Sequence, residues 1–266
     1  MSITIAIAGK GGVGKSTIAA LVVRWLNEHG RTSVLAVDAD ANVNLHDLLG
    51  VEPAEAIGAI REEMKEKVND LPGGMTKQQF LEHKIHQSLV ETRNFDLIVM
   101  GRPEGPGCYC YANSLLREIL KALADNYQFV VIDNEAGMEH LSRRTAQKIN
   151  YLLIISDPTV RGVQTAGRIS RLLKELDTRV DHKGLLINRA RGELSQEVRA
   201  QIEQEALNLL AVFPEDDALL EADAKGTPAY SAAAESALYE ALSQCLNKLL
   251  PGVESNVRQP ALSPKF

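Results

Sequence analysis

Three groups of residues in this chain could do chemistry: a glycine loop carrying two lysines, a series of acids and amides that each end an apolar run, and two cysteines one residue apart. Gly9-Lys10-Gly11-Gly12-Val13-Gly14-Lys15-Ser16-Thr17 fits GxxxxGK[ST]. It follows the apolar run Ser2–Ala8 and precedes the amphipathic stretch Ser16–His29, the strand–loop–helix setting that the motif requires. Glycines at Gly11, Gly12 and Gly14 let the backbone turn its N–H groups inward around phosphate oxygens, with Val13 and Thr17 completing the wrap. The helix start adds its positive dipole end. Lys15 is placed to reach the β- and γ-phosphates, and the Ser16 hydroxyl to hold Mg²⁺. Lys10 is extra: cradling phosphates within one subunit does not need it.

Acidic and amide residues recur where an open α/β sheet places ligand groups, at the carboxyl ends of strands. They are Asp38 and Asp40 after Ser33–Val37, Asp133 after Phe129–Ile132, and Asn188 after Gly184–Ile187. The cysteines lie in Pro103-Glu104-Gly105-Pro106-Gly107-Cys108-Tyr109-Cys110-Tyr111, whose prolines and glycines predict a surface loop. Two thiolates leave a soft metal half-coordinated. Two copies supply the four sulfurs of a tetrahedral zinc site, or of a square-planar nickel site. A redox disulfide is strained at this spacing. Two unrelated thiols are the bland alternative.

The elements that must position these groups are short Ile/Val/Leu-rich runs alternating with helical patterns. Strands are predicted over Ser2–Ala8, Ser33–Val37, Phe95–Met100, Phe129–Ile132, Leu152–Ile155 and Gly184–Ile187, with Asn208–Phe213 as a seventh or a helix end. Helices are predicted over Ser16–His29, Glu52–Asn69, Thr76–Glu91, Ala112–Asn126, Leu141–Lys148, Gly162–Leu176, Ser195–Glu205 and Ala229–Leu250. The pattern is that of an α/β, three-layer protein: a mostly parallel twisted sheet of about seven or eight strands with helices on both faces. Residues 1–250 read as one P-loop domain and 251–266, with three prolines, as an irregular tail.

Aromatics make up only 5% of the 266 residues, so the core must be aliphatic. A net charge of −6 argues against nucleic-acid binding over the whole surface and leaves a local phosphate site untouched. No apolar run is long enough to span a bilayer, and Ile3–Ala8 is too short for a signal peptide, so a cytoplasmic location is expected.

The GKGGxGK[ST] form of the loop resembles the deviant P-loop of dimeric ATPases that include ParA- and Min-type proteins and the nitrogenase iron protein, the SIMIBI type of P-loop NTPase. The resemblance implies that Lys10 crosses a homodimer interface to the partner's ATP, the part an arginine finger plays elsewhere. It makes Val37–Leu45 switch I, with Asp38 near the metal and Asp40 orienting the attacking water. Asp133 becomes the acid that contacts Mg²⁺ through water, and Gly137 of Asp133-Asn134-Glu135-Ala136-Gly137 the sensor of the γ-phosphate. Asn188 would read adenine, with Pro214-Glu215-Asp216 forming part of the base pocket. Ala41 departs from the pattern, standing where proline is common.

The segment Pro106–Asn113 with Leu115-Leu116-Arg117, followed by Asp133–His140, is similar to the CooC-type ATPases and their AcsF-type relatives. That resemblance implies a slow ATPase whose homodimer shares a Cys108/Cys110 nickel or zinc site and serves carbon monoxide dehydrogenase or acetyl-CoA synthase. An iron–sulfur electron carrier resembling the nitrogenase iron protein is the alternative. It would need a cysteine just beyond switch II, where Glu139-His140-Leu141-Ser142 stands instead. A membrane-binding relative would need a basic C-terminal helix, but residues 251–266 offer only Arg258 and Lys265. A DNA-binding relative would need a basic face, and Arg161, Arg168 and Arg171 are spread around their helix.

Overall fold

Aliphatic strands with apolar residues on both sides must be covered on both sides, and the sheet is built that way. The computed structural model describes residues 2–31, 33–40, 42–53, 55–66, 74, 76–101, 121–135, 148–175 and 179–251. Along the chain these form β1 (Ile3–Gly9), α1 (Lys15–Glu28), β2 (Val34–Ala39), α2 (Leu45–Leu49), α3 (Ile57–Glu66), α4 (Lys77–Gln87), β3 (Val90–Glu91), β4 (Asp96–Val99) and β5 (Phe129–Asn134). Then come β6 (Lys148–Ser156), α5 (Val160–Glu175), β7 (Arg179–Ala190), α6 (Gln196–Gln204), β8 (Leu209–Pro214), α7 (Asp217–Ala224), α8 (Ala229–Ala232) and α9 (Ala237–Leu249).

The eight described strands make one sheet in the order β3-β4-β2-β5-β1-β6-β7-β8. All neighbours pair in parallel except β3, which lies antiparallel on β4. Alternate residues divide between two cores. Ala6, Ala8, Leu35, Val37, Val130 and Ile132 pack with α3, α4, α5 and α6 on one face. Ile5, Ile7, Val34, Ala36, Phe129 and Val131 pack with α1, α2 and α9 on the other. Trp25 of α1, the sole tryptophan, is fully buried there. The expected three-layer α/β sheet is therefore present, with eight strands.

Several boundaries differ from the sequence expectation. The helix expected over Thr76–Glu91 starts with a Thr76–Gln79 capping box and ends at Gln87, and Val90–Glu91 turns back as the edge strand. Lys148 opens β6 rather than closing a helix, and β7 runs from Arg179, well before Gly184. In β7 four of the first five residues are polar, and the remaining one, Val180, is only half-buried, so no apolar run announces them. Asn208–Phe213 resolves as the edge strand β8. Helices α2 and α7 were not anticipated, being only five and eight residues long. No helix among the described residues is long and apolar enough to cross a membrane.

The C-terminal elements are tied to the sheet by one buried acid. Asp216 caps α7 by accepting from the Leu219 amide at 2.9 Å, while its second oxygen accepts from the Ser236 hydroxyl and the Leu238 amide, both at 2.8 Å. Burial works against its charge, but these bonds outweigh it and hold the carboxyl below the usual carboxylate range. Asp216→Ala is expected to cost about 3 kcal/mol, lowering Tm by roughly 6–12 °C in thermal unfolding. A loss below about 2 °C would show that α7 and α9 do not depend on this residue.

Candidate nucleotide site

The central strand β1 runs out into the glycine loop, and α1 leaves it at Lys15. Gly14 takes φ 92° and stands at the N-cap, where it has no side chain to cap the first-turn N–H groups. A Cβ at Gly14 would sit 2.6 Å from Asn188 Nδ2, so both backbone angle and space demand glycine. Lys15 is only 6% exposed and its ammonium donates to the Lys10 carbonyl at 3.3 Å. A buried lysine with one long hydrogen bond is placed for an anion in the loop. The Lys10 residue itself is exposed at the rim.

Parallel register brings two carboxylates side by side at the strand ends. Asp38 of β2 is opposite Asp133 of β5, which is also opposite Ile7 of β1. Their surroundings differ. Asp38 is fully buried and accepts three backbone N–H bonds, from Asp40 at 3.1 Å, Asn44 at 3.1 Å and Leu45 at 3.0 Å. It clasps the loop after β2 onto the start of α2. Desolvation still leaves its pKa raised, with those three amides opposing.

Asp133 is 1% exposed, and neither carboxylate oxygen has a hydrogen-bond partner among the described residues. Burial pushes its pKa up to about 7, and the charges of Asp38 and Asp40 add to the rise. The nearby Ser16 hydroxyl and Lys15 ammonium pull it down, although no bond of ordinary geometry joins Asp133 to Ser16. Two orphaned buried oxygens beside a hydroxyl fit a hydrated divalent cation, which prefers oxygen ligands and keeps several waters. Ser16 and Asp133 are thus the residues that would hold Mg²⁺.

A cleft of about 510 Å³ opens over the loop, lined by Gly11, Gly12, Gly14, Lys15, Ser16, Thr17 and, from the loop after β2, Asp40. Asp40 accepts from the Asn42 amide at 2.8 Å, a local turn that holds its carboxylate at the rim. Val13 is buried beneath the loop. A second cavity of about 210 Å³ adjoins the first, with Asn188, Pro214, Glu215, Asp216, Leu219 and Leu220 in its wall.

The side chains in that wall are less available than their positions suggest. Asn188 donates to the Val13 carbonyl at 2.9 Å and accepts from the Arg189 amide at 3.0 Å, so it braces the loop. Its amide retains a second N–H. Glu215 is paired at two points with Arg191, at 2.5 and 3.1 Å. Asp216 is spent on the clamp described above. Pro214 and the Leu219–Leu220 pair supply the apolar surface that a base requires. Gly137, Cys108 and Cys110 lie outside the described residues. Sequence reasoning gave Asn42 and Asn44 no role of their own within switch I and passed over Arg189, which belongs to no spaced motif; all three also line the cleft.

A family model for the CobQ/CobB/MinD/ParA nucleotide binding domain matches residues 4–229. The chain belongs to this family. Within the CobQ/CobB/MinD/ParA family, it is 41% identical over 248 residues to an uncharacterized ATP-binding protein of Methanocaldococcus jannaschii, covering 92% of this chain and 98% of that one. It is 31% identical to the carbon monoxide dehydrogenase accessory protein CooC of Rhodospirillum rubrum, over 85% of this chain and 89% of that protein. Among solved structures, MinD of Pyrococcus horikoshii in complex with Mg-ADP superposes with a TM-score of 0.66 at 24% identity, covering 96% of this chain and all of that one. At that identity the likeness is one of fold.

The raised pKa of Asp133 makes stability depend on pH. Its folded value is about 7 against 3.8 for an ordinary aspartate, so its contribution is fully present below about pH 4 and is lost as pH rises through about 7. The nucleotide-free protein is expected to lose Tm between about pH 5 and about pH 8, and Asp133→Asn, which cannot ionise, to flatten that slope. Equal slopes for the two proteins in differential scanning calorimetry would contradict this assignment.

Proposed function

We propose that this chain is a slow, dimer-dependent ATPase that assists nickel insertion into the active-site cluster of carbon monoxide dehydrogenase or acetyl-CoA synthase. One observation carries the reading: a Cys108-Tyr109-Cys110 sequence in a member of this nucleotide-binding family whose 31%-identical relative is a carbon monoxide dehydrogenase accessory protein. The nucleotide end supports it, because Lys15, Ser16 and Asp40 line one cleft and Asp133 lies beside Lys15 and Ser16.

In this reading Lys15 and the loop N–H groups bind the β- and γ-phosphates, and Ser16 and Asp133 hold hydrated Mg²⁺. The cation supplies charge neutralisation on the phosphate oxygens. Asp40 accepts a hydrogen bond from the attacking water and orients it toward the γ-phosphorus. The new bond is from water oxygen to phosphorus, and the bond to the ADP oxygen breaks, giving ADP and phosphate. Lys10, exposed at the rim, belongs to the partner's site, so hydrolysis waits for the dimer. Gly137 senses the γ-phosphate. Asp38 shapes switch I through its three amides. Asn188 and Pro214–Asp216 frame the adenine end.

Metal is the cargo. Cys108 and Cys110 from two subunits supply four thiolates for nickel or zinc, and ATP drives their pairing by its higher affinity for the closed dimer. Size-exclusion chromatography with light scattering, with ATP or ADP and with or without Ni²⁺, tests this. Wild type is expected to dimerise with ATP or metal and to bind about half a metal per chain, and the Cys108→Ser/Cys110→Ser double variant to lose that metal. Equal metal binding by the double variant, or a monomer under every condition, would overturn the proposal.

A further inference from the structure

Two non-glycine residues among those described have positive φ, Arg189 at 61° and Ala206 at 50°. Ala206 is an ordinary helix end: its amide bonds the Glu203 carbonyl and the next amide bonds the Ile202 carbonyl, closing α6. Arg189 stands in strand β7 instead, where no helix end explains the left-handed backbone. The β7–β8 register shifts between Ile187 and Ala190, and Arg189 is the exposed residue between buried Asn188 and Ala190. Backbone held in this way by its surroundings is a pointer to function.

The strained turn aims the side chain at the glycine loop. Arg189 Nη1 donates to the Gly12 carbonyl at 2.9 Å, and the Arg189 amide donates to Asn188 Oδ1, whose own amide holds Val13. One dipeptide thus grips two consecutive loop carbonyls. The two cavities share five described lining residues, Gly14, Thr17, Leu48, Arg189 and Asp223, and Arg189 is the one cation among them. Glu215, the acid that feels Arg189's charge, is held at two points by Arg191. The guanidinium carries five N–H donors, and the Gly12 carbonyl takes one.

We propose that Arg189 is a nucleotide-binding residue whose guanidinium, braced on the Gly12 carbonyl, contacts the ribose and α-phosphate segment that joins the base cavity to the phosphate cleft. The inference rests on the nucleotide reading of the site and adds a contact that no motif assigns. A second cation there complements Lys15 at the far end of the phosphates, and the planar fork suits phosphate oxygens better than an ammonium does.

Calorimetric titration of Mg-ADP into wild type, Arg189→Ala, Arg189→Lys and Arg189→Gly tests it. Arg189→Ala is expected to weaken binding at least about tenfold and to reduce the salt dependence of Kd, with Arg189→Lys recovering part of both. Arg189→Gly relieves the backbone while deleting the cation. It is expected to match or exceed the wild-type Tm without nucleotide, yet to bind as weakly as Arg189→Ala. Binding within about twofold of wild type by the alanine and glycine variants would overturn the inference. So would a glycine variant that unfolds well below wild type, since Arg189 would then serve the fold. Failure of the wild type itself to bind Mg-ADP would refute the nucleotide reading, and this inference with it.

Discussion

The buried carboxylate of Asp133, without a hydrogen-bond partner of ordinary geometry among the described residues, is the constraint around which the rest of the site is arranged. Burying an ionisable group costs several kcal/mol unless something compensates it. Ser16, Lys15, Asp38 and Asp40 all act on Asp133, yet neither oxygen is satisfied by a hydrogen bond among the described residues. The sheet keeps it so. Asp133 lies between β1 and β2, with Ile7 and Asp38 as register partners, in the buried centre of the fold.

Against that constraint the adjacent Asp38 takes a different part. Its three amide bonds fold the loop after β2 around the cleft and start α2, which packs beside α1. One acid therefore shapes the loop and the other stays open for a cation. The far wall is built on the same economy of contacts. Asn188 and Arg189 reach from β7 to the Val13 and Gly12 carbonyls, so loop geometry is held from outside through two of its carbonyls.

Much of this was legible in the chain itself. The P-loop spacing and the aliphatic strands are local signals, and the parallel three-layer sheet follows from their alternation. The strand-end positions of Asp38, Asp133 and Asn188 were also readable, because each ends an apolar run. What escaped depends on register. That the two acids stand side by side emerges only when β2 and β5 align, and that Asp38 is the one clasped by amides only when its following loop folds back. Arg189 takes its place from an irregularity between two strands, and a single arginine after an asparagine carries no such mark. Helices α2 and α7, and the edge strand β3, are too short for periodicity to register.

The most direct measurement is the effect of Mg²⁺ on ADP affinity, by calorimetry, in wild type and in Asp133→Asn. If the bare carboxylate exists for the cation that accompanies the phosphates, Mg²⁺ strengthens ADP binding by wild type. The asparagine variant then loses that gain while binding ADP alone at least as well. An Asp133→Asn protein that keeps the full Mg²⁺ enhancement would contradict the account, leaving the buried acid without a role in the nucleotide site.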